Sequence, residues 1–212
     1  MSASTPTPDV ILDAAELLFA RQGFTATTIK QIGNEAKVNP ALLYYYYDNK
    51  ETLYRAMLQR ILGQLLTRGS DAIDRAGSHA DRIRAFIRAQ ARLLAEHPHF
   101  PQLFVREMVD HQAAHAEQAI TNTAAGAFKR LCAVIEDGQR DGVFRRSLDA
   151  RFAAISTIAQ VAYFVIARPA VGLLLGHGTG GPPAEVSEQF FSHAEAFALD
   201  ALLVSRTEEP RP

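Results

Sequence analysis

Between Thr27 and Lys50 the chain gathers groups that hold phosphate: the hydroxyls of Tyr44 and Tyr45, the ammoniums of Lys30 and Lys50, and the short polar side chains of Thr28 and Asn39. Most protein–DNA hydrogen bonds go to phosphate and sugar oxygens, and hydroxyl, ammonium and backbone N–H donors supply them. Pro40, Ala41 and Leu42 lie just ahead of the tyrosines and are small or apolar, so this part of the chain can approach base edges. Leu42 can touch a thymine methyl but cannot hydrogen-bond to a base. The chemistry this stretch could do is recognition of double-stranded DNA, with no bond made or broken. A plainer reading makes the tyrosines an aromatic cluster packed on their own domain, and it suits Tyr46 and Tyr47 best.

Two short helices must position these groups. Thr27 is suited to cap the first, because its hydroxyl can accept from a free backbone N–H of the first turn. Ile29, Ile32, Gly33 and Ala36 follow at i, i+3, i+4 and i+7, one apolar face. The helix is expected to stop around Lys37. Asn39 caps the second, and Pro40 takes the first helical position, where a missing N–H costs nothing. Leu43 and Tyr47, four apart, point inward and leave Tyr44 and Tyr45 outside. Two helices joined by a tight turn form a helix-turn-helix. A helix over Asp9–Gln22 with Ile11, Ala14, Ala15, Leu18 and Phe19 inside braces it, and Gly23 ends that helix. Asn49 caps a long helix from Lys50 to Arg75 on Leu53, Met57, Ile61 and Leu65.

The run Gly23-Phe24, Thr27-Thr28-Ile29, Ile32, Ala36, Val38-Asn39, Leu43-Tyr44-Tyr45-Tyr46-Tyr47 and Asn49-Lys50-Glu51-Thr52-Leu53 resembles the DNA-binding domain of the tetracycline-repressor-like (TetR) family of transcriptional regulators. The likeness covers roughly the first quarter of the chain without gaps. Gly33 stands where the family usually has alanine, at a cost to the helix of up to ~1 kcal/mol. Ala41 and Leu42 stand where small or hydroxyl residues are usual. The resemblance implies an all-α fold: an N-terminal three-helix helix-turn-helix domain over 9–54 and a C-terminal helical-bundle domain over 55–207 for effector binding and dimerisation. Residues 1–8 form an arm and 208–212 a loose tail. It assigns DNA contacts to Thr28, Lys30, Asn39, Pro40, Ala41, Leu42, Tyr44, Tyr45 and Lys50, the last as a phosphate contact. It also implies a homodimer on a palindromic operator and an interior pocket for an apolar or aromatic effector. Phe104, Met108, Tyr163 and Phe164 are the pocket candidates, being bulky and mid-chain. Arg106-Glu107-Met108 and the Arg168-Pro169 helix look like those of one common subtype of family effector domain.

The whole-chain bounds are those of an ordinary globular protein, and the charge balance counts mildly against DNA binding. The 212 residues, 48% hydrophobic and 21% charged, are of globular composition. Net charge is −1, and the first sixty residues are balanced, with Asp9, Asp13 and Glu16 opposing the lysines; a basic patch is the more usual footprint on DNA. The single cysteine, Cys132, excludes a disulfide framework and a thiolate zinc cluster. The start of the chain lacks the basic and apolar regions of a signal peptide. The most apolar segment, 152–176, is interrupted by Ser156, Thr157, Gln160 and Arg168-Pro169, so no membrane span is expected; the expected compartment is the cytoplasm.

Helices are further expected over Asp81–His97, a short segment containing Leu103, Phe104, Met108 and Val109, Glu117–Arg140, Ala150–Gly176 with a kink at Pro169, and Ala184–Ser205. The run Arg82, Arg84, Arg88, Arg92 reads as a solvated face with acidic neighbours from other helices. His97, His99, His111 and His115 cluster in sequence, and His111 and His115 are i, i+4. They lack a His-Glu-x-x-His pattern, so surface histidines and no metal are expected. No cofactor is expected. Phe164, Val165, Phe190, Phe191, Phe197 and Leu203 exceed what one chain can obviously bury, which favours a two-copy four-helix interface. No Gly-rich phosphate loop or nucleophile elbow is found, so an enzyme is not expected. The alternative function is a helical small-molecule-binding protein without DNA binding.

Overall fold

The computed structural model describes residues 8–204, less the side chains of Leu66, Thr123 and Ala124. The arm expected over 1–8, apart from Pro8, the last residue of the helix expected to reach Ser205, and the tail lie outside the described residues. The chain divides into two compact units, residues 1–64 with 97–123, and residues 65–96 with 124–212.

In the first unit, α1 (Pro8–Ala26) buries Ile11, Ala15 and Phe19 completely. Its regular helix breaks at Gly23 (φ 81, ψ 171), a conformation only glycine adopts freely, and one more turn follows to Ala26. The two short helices are α2 (Ile29–Glu35) and α3 (Pro40–Tyr46), and α4 (Lys50–Arg75) is the long one. The expected α4 stripe is observed as far as Ile61: Leu53, Met57 and Ile61 are fully buried with Tyr54, Leu58 and Leu62 beside them, while Leu65 is half-buried. Truncating one such side chain to alanine costs about 2–5 kcal/mol. The α6 helix (Phe100–His111) buries Phe100, Leu103 and Glu107 and packs on α1, and a short α7 (Glu117–Ala119) follows. The sequence places the domain boundary at 54/55, whereas the first compact unit runs through Gln64 and takes in 97–123. Local periodicity cannot reveal that a later helix returns to α1.

In the second unit, α5 (His79–Glu96) packs against α8 (Ala125–Arg140), α9 (Ala150–Ile166) and α11 (Ala184–Leu202). Ile83, Leu131, Ile135 and Val161 are its fully buried centre. Gln90 Nε2 donates to the Ile158 carbonyl at 3.0 Å, and Arg88 makes a two-pronged pair with Glu195 at 2.7 and 2.8 Å. Arg88 thus finds the acidic neighbour from another helix expected of the arginine run, whereas Arg84 pairs with Asp81 of its own helix. Two helices are broken where one was expected. Residues 117–140 form α7, a π-helical turn (Ile120–Ala124) and α8. The apolar 150–176 segment breaks at Ala167 into α9 and α10 (Arg168–Leu174), bent by 81°. Pro169 at the start of α10 has no N–H to continue the α9 ladder. Phe164 is buried inside the chain, stacked on Phe190 with ring centroids 4.0 Å apart. Phe197, by contrast, is exposed.

Among the described residues no strand forms, only an isolated antiparallel bridge between Phe144 and Leu203. No single helix among them is long and apolar enough to cross a membrane.

Candidate nucleic-acid interface

Thr28, not Thr27, caps α2. Its hydroxyl accepts from Gln31 N at 3.2 Å while Gln31 Oε1 accepts from Thr28 N at 2.8 Å, a reciprocal capping box. Thr27 is fully buried, and its hydroxyl donates to the Gly23 carbonyl at 2.8 Å. It therefore seals the end of α1, and the residue expected to cap has become part of the core. Two residues after α2 the chain passes through Lys37 in the left-handed region (φ 57), and Val38 N donates to Gly33 O at 2.8 Å. This is the tight turn. A Cβ on Gly33 would lie 3.2 Å from both Pro40 Cγ and the Val38 carbonyl, closer than most packed contacts. The glycine lets α3 sit close to α2.

Asn39 caps α3, its Oδ1 accepting from Ala41 N at 2.9 Å, and Pro40 occupies the first turn. Leu43 is the buried anchor. The opposite side presents Tyr44 and Tyr45, 57% and 80% exposed, with Ala41 exposed and Leu42 half-buried. Large aromatics held this open on a short rigid helix call for a function beyond packing. Their neighbours Tyr46 and Tyr47 are half-buried, and burial raises the Tyr47 phenol above its ordinary value. Thr28, Lys30, Lys37 and Asn39 are exposed beside them. The exposed residues of the α2–α3 pair thus carry hydroxyls, an amide and two ammoniums. The acidic residues of α1 are engaged by a cation: Asp13 binds Arg60 at 2.7 Å, and Asp9 and Glu16 lie 3.6 Å from the same guanidinium.

Lys50 is placed differently from the expectation. Its Nζ donates to the carbonyls of Phe24 at 2.8 Å, Thr25 at 3.3 Å and Thr27 at 3.0 Å, and lies 4.5 Å over the Phe24 ring. An ammonium has three donors, and all are occupied by the junction between α1 and α2. Here Lys50 is a clamp. A cation at a helix N-terminus opposes the helix dipole, and that misfit was the sequence signal for a special partner. The four pocket candidates are not brought together within either unit. Phe104 and Met108 are half-buried on α6 in the first; in the second, Phe164 is core and Tyr163 is 64% exposed.

The profile described as bacterial regulatory proteins, tetR family, matches residues 11–57, spanning α1 through the start of α4. A second, the tetracyclin repressor-like C-terminal domain, matches residues 80–189. This chain belongs to the tetR family. It is a DNA-binding transcriptional regulator and not an enzyme. It is 29% identical over 163 residues to the HTH-type transcriptional repressor NicS of Pseudomonas putida, covering 74% of each chain. Its fold is similar to the ketosteroid transcriptional regulator KstR2 of Mycobacterium tuberculosis (TM-score 0.71, 18% identity, 96% of this chain and 99% of that one). It is also similar to the regulator FadR of Bacillus subtilis in complex with stearoyl-CoA (TM-score 0.73, 17% identity, 92% and 99%).

Proposed function

We propose that this regulator is a ligand-responsive repressor that holds a palindromic operator as a homodimer, with α3 in the major groove. The observation that carries the reading is the exposed Tyr44–Tyr45 pair on a helix fixed by Asn39, Pro40 and Leu43. In this reading Tyr44, Tyr45, Thr28 and Lys30 take phosphate oxygens, while Asn39, Pro40, Ala41 and Leu42 face base edges. Lys50 acts through the shape of the α1–α2 junction. A DNA-bound regulator works where the DNA is, in the cytoplasm.

Exposed apolar side chains of the second unit support a second copy. Phe152, Ile155 and Tyr163 on α9 and Phe197 on α11 are each more than half exposed, and a self-complementary helical interface is the usual way to cover such faces. Two heads would then meet half-sites about 34–36 Å apart. The effector is an apolar or aromatic molecule, in line with the lipid and steroid regulators of similar fold. Phe104 and Met108 are the candidate contacts that are half-buried rather than core or fully open. The ligand favours a dimer shape that no longer fits the operator spacing, and α4, a single helix that contributes residues to both units, carries the change.

The test is fluorescence anisotropy of a labelled duplex recovered by selection with the purified protein, with and without stearoyl-CoA as a probe of the lipid class. Binding at one dimer per palindrome, weakened by the probe, is the expected result. Binding of one chain per site, or equal binding to any duplex, contradicts the dimeric-repressor reading.

A further inference from the structure

Glu107, His111 and His115 converge just past α6. One ligand atom from each lies within 4.8 Å of the other two. Glu107 and His111 are one turn apart on the same face of α6. His115 is not on that helix. The chain turns back through Gln112 (φ 51) and Ala113 (φ 65), two successive non-glycine residues in the left-handed region, a conformation that costs energy at each. The turn delivers His115 to Glu107: His115 N donates to Glu107 Oε1 at 2.7 Å, and Nδ1 lies 3.1 Å from Oε2. Glu107 is wholly buried, and His115 is its only ion-pair partner among the described residues. The His111 ring meets His115 edge-on, centroids 4.7 Å apart, yet its nitrogens make no hydrogen bond among the described residues. These are not the ordinary surface histidines that the spacing suggested.

We propose that Glu107, His111 and His115 bind a divalent transition-metal ion of the zinc class, and that the ion stiffens the junction carrying the DNA-reading helices. Two imidazole nitrogens and one carboxylate oxygen suit zinc, cobalt and nickel, and three protein ligands leave a position for water. Bonds of about 2.0–2.2 Å require the three donors to close on one another by a small side-chain movement. The ion replaces the direct contact between Glu107 and the His115 ring and neutralises a buried carboxylate otherwise paired with one imidazole. The Tyr54 ring meets the His115 ring edge-on, centroids 5.3 Å apart, and packs beside the site.

The Phe24 ring lies 5.1 Å from His115 and 5.9 Å from His111, and the Phe24 carbonyl accepts from Lys50. The Lys50 clamp therefore sits one side chain away from the metal ligands. This link rests on the DNA-binding reading above; the metal site does not.

The experiment uses the untagged full-length protein, stripped of metal and titrated with Zn²⁺ by calorimetry and with Co²⁺ by absorption. One ion per chain and ligand-field bands of low-coordinate cobalt are expected. His111→Ala, which removes a side chain with no hydrogen bond to lose, lowers the affinity at least about 10-fold and leaves the apo melting temperature unchanged. Glu107→Gln, at a buried position, is judged only if it melts like the parent. Equal affinity and stoichiometry in the parent and His111→Ala overturn the site. A Zn²⁺-dependent shift in affinity for a duplex bound by the apo protein, absent in His111→Ala, supports the link; no shift, or the same shift in both, overturns it. If neither form binds any duplex, the DNA reading has failed and the metal titration stands by itself.

Discussion

Lys50 Nζ donates to the Phe24 carbonyl at 2.8 Å across twenty-six positions of sequence and covers the ring of the same residue. One side chain thus ties the start of α4 to the end of α1, with α2 suspended between them. Lys50→Met is expected to cost about 1.5–3 kcal/mol, the worth of hydrogen bonds to a charged group, read as a lower midpoint in urea. It is also expected to weaken DNA binding without changing the slope of log affinity against log salt. Loss of a true phosphate contact would reduce that slope by about 0.9, so a slope change would assign Lys50 to the backbone of the DNA.

Tyr44→Phe and Tyr45→Phe remove only hydroxyls from an exposed face. Each is expected to leave thermal unfolding unchanged and to lower operator affinity by about 10-fold, the equivalent of ~1.4 kcal/mol. Unchanged affinity in both would return the pair to a packing role.

Gly138 is a packing glycine. A Cβ there would lie 2.2 Å from Phe144 Cδ2, and Phe144 is fully buried. Gly138→Ala forces that ring to move and is expected to destabilise by about 3 kcal/mol or more. The measurement is chemical denaturation. A loss below ~0.5 kcal/mol would mean that the aromatic ring has room to yield, since that is the usual range of surface changes.

Asp149 caps α9, accepting from Arg151 N at 2.8 Å, and its carboxyl is held down to about 2, chiefly by the Arg151 side chain. A carboxyl with a folded value below its unfolded value of about 3.9 stabilises the protein above that pH. The contribution is lost as pH falls from about 4 through 2. Asp149→Asn keeps a cap but has no charge to titrate. Melting temperatures of the two proteins are expected to differ above pH 4 and to converge towards pH 2. A constant difference over that range would contradict the assignment.

The reader was legible from the chain because its signals are local. Asn39-Pro40 states the start of α3, and the apolar face Ile29–Ile32–Ala36 states α2. The correct cap of α2 was also legible: Thr28 has Gln31 three residues on, able to complete a capping box, while Thr27 has Lys30, which cannot accept a hydrogen bond. What local pattern could not give was long-range. Lys50 reaches carbonyls near α1, and His97, expected at the surface, lies 3.0 Å from Gln64 and 3.3 Å from Glu16. His115 reaches Glu107 only through two left-handed residues that spacing does not encode. The break at Ala167 also ran deeper than the kink expected at Pro169, and the return loop packs closely on α10: a Cβ on Gly172 would lie 2.3 Å from Gly178 O.

The measurement that tests the central claim most directly is selection of DNA from a random pool by the purified protein at stated salt, followed by sequencing. The account predicts enrichment of a palindrome whose half-sites lie about one helical turn apart, lost when Tyr44 and Tyr45 are both changed to alanine in a protein that still melts like the parent. Recovery of no enriched sequence, or the same palindrome from the double variant, would contradict it.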